Sequence, residues 1–211
     1  MDGDRERWNA RWRERAGDLE DASIFLSEAA MLLPSGGKVL DLAGGAGRNA
    51  IWLARRGYDV TLVDVSDVAL DKAEARAKRL GVAGRMRFLR VDLEGPLPFA
   101  PLFEIVVVVH YLDRLRRDSF AELLHDNGVL VAANPTVTNL ERHAHPSERF
   151  LVDRGELASW VCNIGFDLLA TREDWTDEGM HEASVIARKH PRAEAPDPEP
   201  GERGPIHGPY R

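Results

Sequence analysis

The segment KVLDLAGGAGRNAIWLARRGYDVTLVDVS, Lys38 to Ser66, constrains this chain more than any other. A β-rich run, KVLDLA, passes through Gly44, Gly45 and Gly47 into an apolar-faced helix, RNAIWLARR, and a second β-rich run, DVTLVDV, follows. A strand that turns through glycines into a helix and returns as a strand builds a parallel βαβ unit, because parallel neighbours need a crossover. Ile51 and Ala54 have the spacing to face the sheet, and Gly57 marks the helix end.

The same alternation continues downstream. Ser66 can cap the helix DVALDKAEARAKRL, in which Glu74 and Lys78 form a favourable i,i+4 pair before Gly81. RMRFLRVDL reads as the third strand. FEIVVVVHYL carries an unbroken β-branched run from Ile105 to Val109, which suits a central strand buried on both faces. Asp113 opens a helix expected over RLRRDSFAELLHDN and closed by Gly128, and VLVAA is the fifth strand. Asp153 and Glu156 form a capping box for RGELASWVCNI, where Leu157, Trp160, Val161 and Ile164 repeat at helical spacing. FDLLATRE and HEASVIARK pair as a hairpin across the turn-rich WTDEGM. The expected fold class is α/β: a Rossmann-like, doubly wound, mostly parallel sheet with a C-terminal antiparallel hairpin.

The chain's 211 residues, 44% of them hydrophobic, suffice for one substantial core. One domain is expected over 1–190, with an N-terminal helical cap at about 5–33 in which Trp8 and Trp12 share a helix face. The segment 191–211, rich in Pro, Gly and charge, reads as a disordered tail. With 28 Lys+Arg against 35 Asp+Glu, the formal charge of -7 argues against a nucleic-acid partner. The lone Cys162 excludes a disulfide framework and is expected as a small core residue of its helix. No apolar run approaches the roughly twenty residues of a membrane span, and MDGDRERWNA lacks a signal-peptide core, so a soluble cytoplasmic protein is expected. His143 and His145 have no evident third ligand, so no metal site is assigned.

Ligands of such sheets bind at the carboxyl ends of the strands, and the glycine turn lies there. It could serve a dinucleotide: Gly45 and Gly47 supply the first two glycines of that fingerprint, with Ala50 in the third place. A P-loop is excluded because Arg-Asn-Ala, not Lys with Ser or Thr, follows Gly47. It could also be a plain tight connection. The acid at the end of the second strand, Asp64, fits either a dinucleotide or another adenosine ligand, but a nicotinamide enzyme gives no role to Asp41 before the turn or to Asp92 after the third strand.

Read with Asp41, the turn is D-x-A-x-G-x-G and resembles the first motif of class I S-adenosylmethionine-dependent methyltransferases, E/D-x-G-x-G-x-G. The resemblance implies S-adenosyl-L-methionine as cofactor. It implies that Asp41, Ala43, Gly45, Gly47 and Asn49 border the methionine part of that cofactor. Asp64 and Val65 would meet the ribose, Asp92 and Leu93 the adenine, and His110 the side of the reacting methyl. Ala43 replaces the first glycine of the motif, and its methyl group calls for a negative φ there.

WNARW, DLAGGAGRNAIWLARRGYDVTLVDVS, HYLDR and RFLVDRGEL together look like the bacterial tellurite-resistance methyltransferases and their thiopurine-methyltransferase-like relatives. That resemblance covers Arg5 to Lys189 and implies a small-molecule methyl acceptor, a metalloid oxyanion or a small thiol-like nucleophile. Methyl transfer from a sulfonium is an in-line displacement, so the protein mainly aligns the partners, and needs a base only for a protonated nucleophile. His110 and Tyr111 are the candidates for alignment or proton acceptance, and Arg114 for holding an anionic substrate. The polar stretch 134–152, with Arg142, His143, His145 and Arg149, is a candidate lid. The alternatives are a degenerate S-adenosylmethionine-binding sensor without turnover and a nicotinamide-dependent oxidoreductase. Oligomeric state is not legible.

Overall fold

The structure is a computed structural model that describes residues 2–15, 21–100 and 103–191. Its centre is a seven-stranded sheet, β1 (Lys38–Leu42), β2 (Asp59–Asp64), β3 (Met86–Arg90), β4 (Phe103–Val109), β5 (Leu124–Pro135), β6 (Phe166–Trp175) and β7 (His181–Lys189), in the order β3-β2-β1-β4-β5-β7-β6. The first five strands are parallel; β7 runs antiparallel between β5 and β6. The sheet is therefore the α/β, mostly parallel, hairpin-ended one expected from the alternation of β-rich and helical runs.

Strand β4 shows how the sequence pattern makes two layers. Ile105 and Val107 join one apolar cluster, Val106 and Val108 the other, and all four are buried. Successive strand residues point to opposite faces, so a β-branched run with no polar interruption needs cover on both. One face is covered by α2 (Ile24–Glu28), α3 (Arg48–Ala54) and α4 (Asp67–Arg79), through Phe25, Leu26, Ile51, Leu53 and Leu70. The other is covered by α5 (Arg117–Glu122) and α6 (Glu156–Asn163), through Phe120, Leu157, Trp160 and Val161. Burying each of these large side chains stabilises the fold by roughly 1.5–3 kcal/mol.

Local signals that follow backbone chemistry agree with the structure. The Ser66 hydroxyl accepts from the Ala69 N–H at the start of α4, and Glu74 pairs with Lys78 at 2.7 Å. Two expectations need correction. The helix expected from Arg114 to Asn127 is only α5: Asp113 accepts from the Leu115 and Arg116 amides in a turn, and β5 already begins at Leu124. Leu124 is drawn out of helical register to sit opposite Phe103, and the sheet pairing then skips to Ile105–Val129, with Asn127 at φ 64 in the bulge. Cys162 is exposed, because the apolar face of α6 is supplied by Leu157, Trp160 and Val161. The capping box at α6 is half present: Glu156 accepts from the Asp153 amide, while Gly155 occupies the cap position.

Among the described residues, the segment before β1 contains α1 (Asp2–Glu14), α2 and a short 3-10 turn, Ala30–Leu32. The tail expectation falls, apart from Pro191, outside the described residues. Among the described residues no helix is long and apolar enough to cross a membrane.

Candidate active site at the carboxyl edge of the sheet

The turn from β1 to α3 uses its small residues for different reasons. Gly45 and Gly47 have φ of 57 and 77, a region that glycine enters at no steric cost. Gly44 is needed for space: a Cβ there would lie 2.2 Å from a Leu62 methyl and 2.7 Å from the Asp41 carboxyl. Ala43 has φ 52, which corrects the expectation of a negative value. Its backbone keeps the left-handed shape that the motif's glycine would give, at a cost of roughly 1–2 kcal/mol for an L-residue. The turn is held by Gly44 N–H to Val63 O at 3.1 Å and Gly47 N–H to Gly44 O at 3.0 Å.

Around this turn stand the acids. Asp64 ends β2; its Oδ2 accepts from the Gly45 amide at 2.9 Å and its Oδ1 from the Ser66 amide at 2.8 Å. Burial raises its pKa, against the pull of those amides. Asp41 is fully buried, and burial pushes its pKa up to about 7, opposed mainly by the Ala50 amide; the nearby Asp64 adds to the rise. Its Oδ2 is buried without a hydrogen-bond partner. A buried polar oxygen left unpaired beside a glycine turn has the character of a group awaiting a donor. Asp92 follows β3, half-buried, with Oδ1 accepting from the Glu94 amide at 3.0 Å, while Leu93 is buried in the core and Val65 is half-buried beside Asp64. Asn49 does something the sequence did not indicate: its Oδ1 accepts from the Ser23 amide at 2.9 Å and so anchors the start of α2.

Helix α1 covers the strip between the turn and Ser66. The Trp12 ring occupies the space a Gly45 side chain would need, with Cζ2 2.5 Å from that position. Asn9 Oδ1 accepts from Ser66 Oγ at 2.7 Å and from the Val68 amide at 3.2 Å. Arg5 pairs with Asp67 at 2.9 Å, and the Lys72 ammonium donates to Trp12 O and, at 3.0 Å, to Arg15 O. Trp12 is thus the roof of the turn, whereas Trp8 is 37% exposed.

At the end of β4, His110 adopts φ 60, and its amide donates to Ala133 O at 2.8 Å. Left-handed non-glycine residues of this kind cluster at functional sites. Its Nε2 lies 2.5 Å from Glu182 Oε2 on β7. Glu182 is buried and escaped the sequence reading. The one signal for it was a carboxylate near the start of HEASVIARK, a strand buried from His181 to Ala187. Tyr111 packs on Phe120, and burial, helped by Asp113 and Glu94, holds its phenol well above the ordinary range. Arg114 is engaged elsewhere: it forks onto Glu156 at 2.7 and 2.6 Å and donates to Leu151 O at 2.9 Å.

The candidate lid also has its own partners. Arg142 stacks on Trp175 at 3.7 Å, and His143 Nε2 meets Gly179 O at 2.8 Å, so this stretch is bound to the hairpin turn. His145 and Arg149 are exposed. Among the described residues no cluster of His, Cys, Asp and Glu could hold a metal ion.

The residues that could hold S-adenosylmethionine fit it chemically. Asp41 offers an unpaired buried oxygen, and Asp64 offers carboxylate lone pairs beyond the two that its amides use.

Residues 39–128 match the family model described as a methyltransferase domain. The chain is 41% identical over 97 residues to the ribosomal protein L11 methyltransferase of Thermus thermophilus, covering 46% of this chain and 37% of that protein. It thus spans about a third of that relative's length. Among solved structures, one from work on converting a disulfide bond into a thioacetal during echinomycin biosynthesis has a TM-score of 0.70 and 19% identity. That match covers 90% of this chain and 94% of the other. TehB from Haemophilus influenzae has a TM-score of 0.64 and 19% identity, over 86% and 67% of the two chains. At such identity these structures show the same fold, and the matched segment of this chain contains the glycine turn, Asp64, Asp92 and His110. Residues 39–128 therefore match a methyltransferase domain, in a chain that has the fold of these solved structures.

Proposed function

We propose that this chain transfers a methyl group from S-adenosylmethionine to a small molecule. The observation that carries the cofactor reading is the Asp64 carboxylate at the end of β2, tied to the Gly45 amide beside the unpaired buried oxygen of Asp41. Asp64 would take the ribose hydroxyls, Asp41 would face the methionine end across the turn, and Asp92 would lie at the adenine end. Bound there, the cofactor supplies a methyl on a sulfonium leaving group, and the protein aligns the acceptor and excludes water.

A small acceptor is favoured by the walls of the site. Trp12 lies on the turn, and the stretch 134–152 is fastened to the hairpin by Arg142 and His143. The relative from Thermus thermophilus is named for a ribosomal protein substrate, but a formal charge of -7 gives this chain little attraction for RNA or its assemblies. Between the two acceptor types that the sequence suggests, a thiol-like nucleophile suits the site better than a metalloid oxyanion. Arg114, the candidate anion holder, is forked onto Glu156. A binding protein without turnover has weaker support, because Ala43 keeps the left-handed turn that an eroded motif would lose.

The experiment is calorimetric titration with S-adenosylhomocysteine and with NAD, on the wild type and on Asp64→Ala. Binding of S-adenosylhomocysteine, absent for NAD and weakened at least tenfold by the substitution, is the expected result. Binding of NAD in its place would overturn the reading.

A further inference from the structure

A cleft beside His110 is lined by Ser23, Phe25, Arg48, Arg172 and Glu182. We propose that Glu182 is a positioning residue that holds His110 with its Nε2 protonated and its Nδ1 bare. His110 then serves this cleft as proton acceptor for a methyl acceptor that arrives protonated, such as a thiol or an amine. The proposal rests on the methyltransferase reading above and deepens it.

The geometry comes first. Glu182 stands opposite Pro135 in the β5–β7 pairing, which places it at the same sheet edge as the end of β4. Its Oε2 is 2.5 Å from His110 Nε2, and its Oε1 accepts from Ser184 Oγ at 3.3 Å. Burial alone would push the Glu182 pKa up; the hydrogen bond and charge of His110, with Arg48, hold it below the usual range. An ionised carboxylate can only accept, so the shared proton sits on Nε2 and the neutral ring's other nitrogen carries none. No described residue hydrogen-bonds Nδ1, and the His110 side chain is 35% exposed. The backbone at φ 60, tied to Ala133 O, keeps the ring from following the strand.

The neighbours leave His110 as the base. Tyr111 is held protonated by its burial, and both Glu182 oxygens are engaged. The cleft's arginines each face a carboxylate, Arg48 toward Glu178 at 3.9 Å and Arg172 toward Glu28 at 3.3 Å, which disfavours an oxyanion as the acceptor. As the acceptor's heteroatom bonds to the methyl carbon, its proton passes to Nδ1. The C–S bond electrons stay on the departing sulfur, which becomes a neutral thioether. The imidazolium formed is balanced through Nε2–H by Glu182 and returns its proton to solvent, the arrangement of a carboxylate-oriented histidine base.

The test is long-range 1H–15N correlation on the full chain labelled in histidine, at alkaline pH. Wild type should show His110 as the Nε2–H tautomer with a low-field, exchange-protected proton. In Glu182→Gln, the Ser184 hydroxyl claims the amide oxygen, the amide NH2 faces Nε2, and the tautomer should switch to Nδ1–H. Glu182→Ala should lose the low-field proton. S-adenosylhomocysteine affinity should stay within about twofold of wild type in both variants. A wild-type Nδ1–H tautomer, or an unchanged tautomer in Glu182→Gln, overturns the proposal even if S-adenosylhomocysteine binds. Failure of wild type to bind S-adenosylhomocysteine overturns the methyltransferase reading and, with it, the proton-acceptor role.

Discussion

Ala43, at φ 52, carries a side chain where the backbone favours none. Ala43→Gly removes that strain but gives the unfolded chain more freedom, so the expected gain is about 0.5–1 kcal/mol, read as a higher urea midpoint with unchanged slope. Asp41 gives a pH test. An acid whose folded pKa is raised holds a proton that the unfolded chain has lost. Stability therefore falls as pH climbs from about 4, the unfolded value, to about 7, and the penalty is complete above that. Asp41→Asn should abolish this slope and be more stable above pH 7 by roughly 2–4 kcal/mol. The same group should release a proton when a cationic ligand pairs with it, visible as buffer-dependent binding enthalpy near neutrality. Asp41, Asp64 and Asp92 were legible as candidates in the sequence because each lies within two residues of the carboxyl end of a strand in a βαβ series. Glu182 was not, since its partner His110 lies 72 positions away and only the sheet order brings them together.

At the scale of elements, α1 binds the domain by side chains that sit on the turn and on the start of α4: Trp12 on Gly45, Asn9 on Ser66 and Val68, Arg5 on Asp67. Its sequence advertised a tryptophan face but not what that face covers, because periodicity gives a stripe and never its partner. Removing residues 2–15 should leave the thermal transition in place and weaken S-adenosylhomocysteine binding by at least tenfold. Equal affinity would make α1 a passive cover. α5 was misread for a related reason: helix propensity ran on through Leu124, and pairing with Phe103 took that residue into the sheet. The loop before α5 and the first residue of that helix are fixed instead by Glu156, which receives Arg114 and Arg117 and whose pKa those partners hold down to about 2 despite burial. Its stabilising contribution is present above the unfolded carboxylate value and is lost as pH falls toward 2. Glu156→Gln should lower stability by about 1–3 kcal/mol at neutral pH, and the difference from wild type should shrink in acid.

For the whole molecule, the sheet decides how the parts cooperate. Both apolar clusters draw on alternate residues of the same strands: Val39, Ile105, Val107 and Val131 on one side, Leu40, Val106, Val108 and Leu130 on the other. Neither layer can lose its helices without baring strands that the other layer also needs, and β7 joins the hairpin to β5 along its length from Val129 to Pro135. The matched methyltransferase segment ends at residue 128, before this joint, yet the carboxylate that faces His110 comes from beyond it. The cofactor half and the hairpin half should therefore unfold together, in one transition whose calorimetric and van't Hoff enthalpies agree. A ligand that binds only the folded chain at a hundred times its dissociation constant adds about 2.7 kcal/mol. For a chain of this size, S-adenosylhomocysteine should then raise the midpoint by roughly 5–10 °C as a single shifted peak. Two peaks, with only the lower or the higher moving, would mean that the hairpin folds independently of the cofactor site.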